Sequence, residues 1–316
     1  MLAYSIMSEA QIQEFESELE MNLAFTAGDI GRFRANVFKQ RGEVSMVVRH
    51  IKTEIPSIIE LNLPSILNEL VMEPRGLILV VGSSGSGKST TLASMIDHRN
   101  RSKTGHILTI EDPIEFMHEH QQSVIEQREV GMDTKSYAHA LSNAMREAPD
   151  LIMIGEITDM ETMQQAIAYA ETGHLCMATL HASNAYLTLE RIMNFFPDSA
   201  HRQLYDVLSL NLRGIVSQRL LMGTDGKRLP AVEVMLNTPY ISDLIQRGEV
   251  GKVKKAMDTS EDRGMKSFDQ AVYDLYAQGR VSTDEALKNA NSPDDVKVRI
   301  RLSHGDQATG LDELDL

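Results

Sequence analysis

Cysteine and tryptophan are scarce in this 316-residue chain, which has a single cysteine, Cys176, and no tryptophan. One cysteine excludes an internal disulfide bond and is typical of proteins in a reducing compartment. The sequence also lacks any apolar run near the roughly 18 residues of a membrane span, and its N-terminus lacks the basic and apolar regions of a signal peptide. We therefore expect a cytoplasmic protein without a membrane-spanning helix.

Basic residues are few as well. The chain carries 31 lysines and arginines against 45 aspartates and glutamates, a formal net charge of −14. A protein that holds a phosphate polymer without sequence preference needs a basic surface, so nucleic acid is disfavoured as a partner, although a local basic channel is compatible with this balance. The length allows about two domains, and the hydrophobic content of 42% is that of an ordinary globular protein.

What the sequence does contain is a phosphate-binding motif. Residues 82–89 follow the pattern G-x-x-x-x-G-K-S between a short apolar run and a helix-like segment, an order that disfavours the alternative of a flexible turn. Glycines in such a loop let backbone N–H groups point at phosphate oxygens, beside the N-terminus of the next helix. We expect Lys88 to reach the β- and γ-phosphates of ATP and Ser89 to ligate Mg²⁺. The residues predicted to bind the nucleotide are Gly82, Ser83, Ser84, Gly85, Ser86, Gly87, Lys88, Ser89 and Thr90.

The pattern of predicted secondary structure changes along the chain. A helix at 7–19, with Ser8 as its N-cap, precedes three alternating β-rich runs, which predict an antiparallel meander too small to be a whole domain. From residue 76 strands alternate with helices, which predicts an α/β fold with a mostly parallel sheet, and beyond residue 237 the pattern is helical. The predicted divisions are a partial α+β domain at 1–51, a linker at 52–75, the α/β core at 76–236, a helical region at 237–303, and an acidic tail at 304–316 that is solvated rather than a docking peptide.

Polar residues follow the predicted core strands. In an open parallel sheet, ligands gather at the carboxyl ends of the strands. Carboxylates there can hold Mg²⁺ and its waters, and one of them can orient the attacking water. Glu156 is the best candidate for that last role, the alternative being an acid at the N-terminus of the next helix, and Glu111 is predicted to bind Mg²⁺ directly or through a water. The strands predicted at 106–110, 151–157 and 174–180 bring to this edge Glu111, Asp112, Glu115, Glu156 and His181.

Histidines and arginines give less specific signals. His174 and His181 bracket one predicted strand, and their offset places them on opposite faces, so they cannot form one ligand pair. We favour catalysis for His181, whereas His174 fits a structural role equally well, and a zinc site at His174 and Cys176 is disfavoured because a second ligand cluster is missing. Arg32 and Arg34 share one face of a predicted strand. They form either a solvated face or a pair that reaches a nucleotide bound by another domain, of a neighbouring subunit.

Several motifs together resemble the secretion and type IV pilus ATPases. The run REAPDLIMIGEI at 146–157 resembles the signature of that superfamily. The segments EDPIEF at 111–116, QREVG at 127–131, ETGHL at 171–175 and TLHA at 179–182 resemble its pilus retraction group, PilT and PilU. NFFP at 194–197, SLNLR at 209–213 and VSQRL at 216–220 lean toward the PilU branch. The resemblance covers nearly the whole chain, with the motifs in the right order.

The resemblance implies a hexameric cytoplasmic motor in which a PAS-like N-terminal domain precedes a RecA-like P-loop NTPase domain. ATP and Mg²⁺ are the implied cofactors. The implied partners are further copies in a homo-hexamer, a PilT-type ATPase, and an inner-membrane platform protein of the PilC type, through which the motor is peripheral to the membrane. Extension motors of the superfamily usually carry a four-cysteine zinc site, which a single cysteine disfavours. The implied site consists of an acidic box of Glu111, Asp112 and Glu115, the catalytic Glu156, a histidine box spanning His174 and His181, and N-terminal arginines matching Arg32 and Arg34, with Arg49 a less clear match.

Two departures from the family pattern bear on activity. Thr158 stands where the family usually has arginine, so an ion pair near Glu156 is expected to be missing, which can slow hydrolysis. The strand-rich opening segment of the family's PAS-like domain is also expected to be absent, which agrees with the small meander and can impair ring assembly. We therefore expect a motor for type IV pilus retraction. The alternatives are an accessory ATP-binding subunit with weak turnover that depends on a PilT-type partner, and a nucleic-acid translocase on the same RecA-like core, which the acidic charge opposes.

Overall fold

The N-terminal part of the chain forms two helices and a three-stranded meander, of which the sequence predicts the second helix and the meander. The computed structural model describes residues 2–260 and 264–303, and the predicted acidic tail at 304–316 lies outside the described residues. The elements are α1 Leu2–Ser5, α2 Glu9–Glu18, β1 Glu20–Ala27, β2 Gly31–Gln40 and β3 Glu43–His50, with β2 antiparallel to both neighbours. Helix α2 begins after a capping box between Ser8 and Gln11. Phe15, Leu23 and Val37 are buried between this helix and one face of the sheet.

Much of the predicted linker packs on the core. Helix α3, Ile66–Leu70, contributes to the same apolar cluster as helix α4, Lys88–Ser102. Arg99 of helix α4 is buried, and its Nη1 donates to the carbonyl oxygens of Val71 at 2.6 Å and Glu73 at 3.1 Å. Because a buried guanidinium requires acceptors, these bonds hold the end of the linker against helix α4.

The core is a seven-stranded sheet in which every neighbouring pair is parallel except the pair at one edge. Its strands are β4 Gly76–Val81, β5 Gly105–Glu111, β6 Ser123–Glu129, β7 Leu151–Ile154, β8 Leu175–Leu180, β9 Leu212–Met222 and β10 Arg228–Leu236. They are ordered β10-β9-β4-β8-β7-β5-β6, and the β10–β9 pair is antiparallel. Strands β4, β7 and β8 are buried over their whole length, as expected for parallel strands covered on both faces. The predicted α/β fold with a mostly parallel sheet is confirmed.

Strands β6, β9 and β10 have no counterpart in the sequence prediction, and the strand predicted at 151–157 ends at Ile154. The second half of β6 is the polar run at 126–129, which hides the strand pattern. Strands β9 and β10 contain Ser217, Gln218 and Glu233, which are all buried. Polar residues interrupt the apolar alternation by which a strand is recognised, and only their hydrogen-bond partners in the fold explain their burial.

Helices cover both faces of the core sheet. Helices α3 and α4 cover one face, where Ile78 and Val80 point, and further helices cover the opposite face, where Leu77 and Leu79 point. The latter helices are α5 Tyr137–Ala144, α6 Met160–Glu171, α7 Ala185–Met193 and α8 His201–Asn211, of which α8 was not predicted. The sheet thus buries one apolar cluster on each face.

The last described part of the chain is helical, as predicted, and packs beside strands β9 and β10. Its helices are α9 Pro239–Gln246, α10 Val253–Asp258, α11 Phe268–Ala277, α12 Thr283–Asn289 and α13 Pro293–Ser303, of which only α10 was not predicted. Phe268 and Val272 are buried against Leu221 of strand β9. Within residues 2–260 and 264–303, every helix is too short or too polar to cross a bilayer.

Candidate nucleotide-binding site

The phosphate-binding loop joins strand β4 to helix α4 at the carboxyl edge of the sheet. The strand ends at Val81 and the helix begins at Lys88. The φ angles of Gly82, Gly85 and Gly87 are 155°, 75° and 93°. Residues with a Cβ rarely adopt such angles, so the curl of this loop depends on glycine at these positions.

One cleft contains part of the loop and all four acidic candidates. Its volume is about 420 Å³, within the range of small-molecule sites. The predicted site residues that line it are Ser84, Gly85, Gly87, Lys88, Ser89, Thr90, Glu111, Asp112, Glu115, Glu156 and His181. Gly82, Ser83 and Ser86 line a groove on the other side of the loop, together with residues of strand β9 and helix α12.

Lys88 lies at the start of helix α4 and folds back over the loop. Its Nζ donates to the carbonyl oxygens of Gly82 and Ser83, each at 3.0 Å. Burial lowers the pKa of Lys88, and the carboxylates of Glu156 and Glu115 act in the opposite direction. The ammonium group therefore lies between the loop backbone and the carboxylates of Glu156 and Glu115, where it would attract an anionic ligand.

Glu111, the last residue of strand β5, also contributes a carboxyl group to the cleft. The residue is 8% exposed, and its carboxylate accepts hydrogen bonds from Thr109 Oγ1 at 2.7 Å and Gln127 Nε2 at 3.2 Å. Burial raises the pKa of Glu111 to about 7 despite these bonds. Gln127 also donates to the carbonyl oxygen of Phe116 and accepts from the His118 N–H, so it holds both ends of the segment that contains Asp112 and Glu115.

Glu156 and His181 form a pair at the centre of the cleft. His181 Nε2 lies 2.9 Å from Glu156 Oε1, and both side chains are partly exposed. The turn that carries Glu156 is fixed because the Gly155 N–H donates to the Ile110 carbonyl oxygen and Thr179 Oγ1 donates to the Gly155 carbonyl oxygen. A carboxylate held by a histidine beside a phosphate-binding loop is able to orient a water and accept its proton.

Tyr137 was not among the sequence candidates, although it lines the same cleft. A Cβ built on Gly155 would lie 2.8 Å from Tyr137 Oη, so this glycine leaves room for the phenol. Burial raises the pKa of Tyr137, and the carboxylates of Asp112, Glu111 and Glu156 add to the shift. Tyr137 is the first residue of helix α5 and does not belong to any of the sequence motifs, so the sequence alone does not identify it.

His174 is the one predicted acid–base candidate that the fold does not bring to the cleft. It precedes strand β8 at the amino edge of the sheet, about 20 Å from His181 by strand length. Its Nδ1 lies 3.1 Å from Thr172 Oγ1, and its ring packs edge-on against Tyr169. These contacts agree with the structural role that the sequence allows for His174. Cys176 is fully buried, and burial raises the pKa of its thiol to about 12.

The N-terminal arginines reach the core at a different place. Arg34 Nε lies 4.0 Å from Glu129 Oε1, and the register pairs Arg34 with Arg49 across strands β2 and β3. Arg34 and Arg49 line a second cleft of about 170 Å³, which also borders Glu115 and Thr90. Arg32 does not line either cleft.

The described residues contain no cluster of three acidic, histidine or cysteine side chains close enough to hold a metal ion by themselves. Mg²⁺ in phosphoryl-transfer sites is bound by one or two protein ligands, substrate phosphates and water. The Ser89 hydroxyl and the Glu111 carboxylate suit that kind of site, because both residues line the cleft that contains Lys88. The residues present therefore fit a Mg²⁺ ion that arrives with a nucleotide.

Comparison with known proteins agrees with this geometry. Residues 20–288 match the type II/IV secretion system protein family. The chain is 51% identical to the type IV pilus ATPase PilU of Pseudomonas aeruginosa, over 98% of this chain and 81% of that protein. It is 40% identical to the type IV pilus retraction ATPase PilT of the same organism, over 93% of this chain and 85% of that protein. The crystal structure of the pilus retraction motor PilT with bound ADP superimposes with a TM-score of 0.89 at 44% identity, over 94% of this chain and 85% of that chain.

Proposed function

The chain belongs to the type II/IV secretion system protein family, and from that premise we propose that it is an ATPase that drives retraction of type IV pili in the manner of PilU. The observation that carries the proposal is the junction, in one cleft, of the phosphate-binding loop with Glu156 and the acidic residues. The similarity to an ADP-bound retraction motor supports the same function.

ATP would be held through its phosphates. The backbone N–H groups of the loop and the N-terminus of helix α4 present partial positive charge to them, and Lys88 adds a full charge. Ser89 and Glu111 would hold Mg²⁺, Glu111 directly or through a water. When bound, Mg²⁺ would neutralise charge on the β- and γ-phosphate oxygens.

Glu156 would orient the attacking water and accept its proton. The contact with His181 at 2.9 Å fixes which way the carboxylate points, and a histidine that donates to it keeps the second oxygen available for water. Tyr137 is partly buried with its hydroxyl beside Gly155, and it would limit how far the turn carrying Glu156 can move. The sheet edge and its turns would thus determine how the water aligns with the γ-phosphate.

The motor would be a homo-hexamer at the cytoplasmic face of the inner membrane, acting on a PilC-type platform protein. In such a ring Arg32 and Arg34, and with them Arg49, would approach the nucleotide of a neighbouring subunit, where arginine contacts can contribute a factor of about 10³ to 10⁵ in rate. Strand β2 presents Arg34 at the rim of the core, beside Thr90 and Glu115, which supports that role.

An accessory subunit that turns ATP over slowly and works with a PilT-type partner is the second candidate. The observation in its favour is Thr158, which is exposed and whose hydroxyl donates to Asp159, the N-cap of helix α6. Within residues 2–260 and 264–303, the only ion pair that Glu156 makes is therefore the one with His181. Weak turnover in isolation that rises when a PilT-type ATPase is added would favour this candidate.

Steady-state hydrolysis of ATP with Mg²⁺ by the purified chain, with light scattering on the same sample, tests the proposal. We expect hydrolysis from a hexamer and its loss in Lys88→Ala. Absence of nucleotide binding by the parent chain would refute the proposal. Hydrolysis that persists in Lys88→Ala would show that another site or a contaminant is responsible.

A further inference from the structure

Gln218 lies under the phosphate-binding loop although it belongs to a strand far along the chain. The register pairs Val81, the last residue of strand β4, with Ser217 of strand β9, so Gln218 is the first residue beyond the end of strand β4. Its side chain is buried, and its Oε1 accepts a hydrogen bond of 2.7 Å from Thr91 Oγ1. Thr91 lies in the first turn of helix α4 and is also buried.

The same glutamine contacts the loop at both ends. A Cβ built on Gly87 would lie 2.7 Å from Gln218 Nε2, and one built on Gly82 would lie 2.5 Å from the Gln218 carbonyl oxygen. No side chain fits into such distances, so the loop backbone rests directly on Gln218. Neither Gln218 nor Thr91 lines the cleft that contains Lys88 and Glu156, so both would act on that cleft through the loop.

Strand β9 is itself anchored on its other face. Side chains alternate along a strand, so Arg219 projects from the face opposite to that of Gln218. Its guanidinium donates to the Asn289 carbonyl oxygen at 2.5 Å and to Asn291 Oδ1 at 2.6 Å, and it lies 4.1 Å from the centre of the Phe268 ring. Because these contacts fix the strand to the C-terminal helices, Gln218 is a fixed support for the loop.

We propose that Gln218 is a positioning residue of the nucleotide site, which sets the position of the loop and of Lys88 through its hydrogen bond with Thr91. The inference rests on the proposed function, since the position of the loop matters only if the loop binds a nucleotide. Removing one partner of a buried hydrogen bond leaves the other unsatisfied, and the first turn of helix α4 then shifts to find a new partner. Nucleotide binding depends on that turn.

Two substitutions of Thr91 distinguish the effect of its hydrogen bond from the effect of its packing. Thr91→Val keeps the shape of the side chain and removes the hydroxyl, whereas Thr91→Ser keeps the hydroxyl. For Thr91→Val we expect the Kd for ADP with Mg²⁺, measured by calorimetry, to rise about tenfold, and the KM for ATP to rise by a similar factor with a smaller change in kcat. For Thr91→Ser we expect both within about twofold of the parent.

The same result is expected from the other partner. Gln218→Met removes the acceptor while retaining the length of the side chain, so its Kd should also rise about tenfold. The double variant with Thr91→Val should show no further loss, because both changes remove one hydrogen bond. Gln218→Met also provides the comparison if Thr91→Val does not fold, which thermal unfolding without nucleotide would reveal.

The outcomes distinguish this inference from the proposed function. If the parent chain binds ADP and both Thr91→Val and Gln218→Met bind it equally well, the inference is wrong and the proposed function stands. A lower melting temperature with unchanged Kd and KM would likewise overturn it, because the bond would then be merely structural. If the parent chain itself fails to bind ADP, the proposed function is wrong and the inference falls with it.

Discussion

Replacing Glu111 with glutamine is expected to stabilise the protein at neutral and alkaline pH. Glu111 is 8% exposed, and burial raises the pKa of its carboxyl group from 4.5 to about 7, with Glu115 adding to the shift. The hydrogen bonds from Thr109 and Gln127 favour the ionised form, so the loss of solvation is the larger effect. The ionised side chain therefore destabilises the fold, and glutamine, which has nearly the same shape, does not carry that charge.

The sign of the effect follows from the two pKa values of Glu111. The value in the folded state, about 7, lies above the ordinary value of 4.5, so folding favours the protonated group. The stability that this group contributes is complete below about pH 4.5 and is lost as the pH rises through 7. A pKa difference of this size corresponds to about 3 kcal/mol in the free energy of unfolding.

Urea unfolding of the parent and of Glu111→Gln between pH 5 and pH 8.5, about the range in which the group titrates, measures this difference. From pH 5 to pH 8 we expect the free energy of unfolding of the variant to rise relative to that of the parent by up to about 3 kcal/mol. Its rate of ATP hydrolysis should fall. Thr109→Val removes a hydrogen bond to the ionised carboxylate. The pKa of Glu111 should then rise, and the pH range over which stability is lost should shift to higher pH. Parallel stability curves for the parent and Glu111→Gln would refute the reasoning.

Three further predictions concern other parts of the structure. Gly87→Ala should weaken nucleotide binding about tenfold or more, because its Cβ would lie 2.7 Å from Gln218 Nε2 at a φ of +93°. Gly226→Ala, at a φ of +75° with nothing within 4 Å, is the matched control that should leave the calorimetric Kd unchanged. Glu233→Ala should lower the free energy of unfolding by about 3 to 5 kcal/mol, because the Ala185 N–H, the Ser217 hydroxyl and the Phe268 N–H lose their buried acceptor. Glu233→Gln keeps an acceptor and should cost less, so equal costs in urea unfolding would contradict this account. Arg34→Gln and Lys88→Ala should each reduce ATP hydrolysis on their own, and mixing the two variants should restore part of it if Arg34 acts on the neighbouring subunit. Mixtures no more active than either variant would argue against action between subunits.

The sequence identifies those parts of the site whose signal is local. The loop at 82–89 is recognisable because glycine, lysine and serine occur at fixed spacing between a strand and a helix. Glu111 and Glu156 follow from the rule that ligands gather at the carboxyl ends of parallel strands, and both line the cleft. His174 shows the limit of a motif, because the same strand that brings His181 to the cleft keeps His174 at the opposite edge of the sheet.

Supporting contacts that join distant parts of the chain could not be predicted in this way. Gln218 is 127 residues from Thr91, and no local pattern links them. The buried Glu233 accepts from two backbone N–H groups and one hydroxyl, and these partners come from three different elements. Such polar residues interrupt the apolar pattern of strands β9 and β10, so these strands are not recognised in the sequence. In the fold they connect the C-terminal helices to the nucleotide site.

Glu156→Gln provides the most direct test of the central claim, that this cleft binds ATP and hydrolyses it through Glu156. Glutamine keeps the size of the side chain and can still accept a hydrogen bond from His181, but it cannot take a proton from water. We predict that ATP binding stays within about threefold of the parent, while single-turnover hydrolysis slows by about 10²- to 10⁴-fold. Hydrolysis at the parent rate in Glu156→Gln would contradict the account.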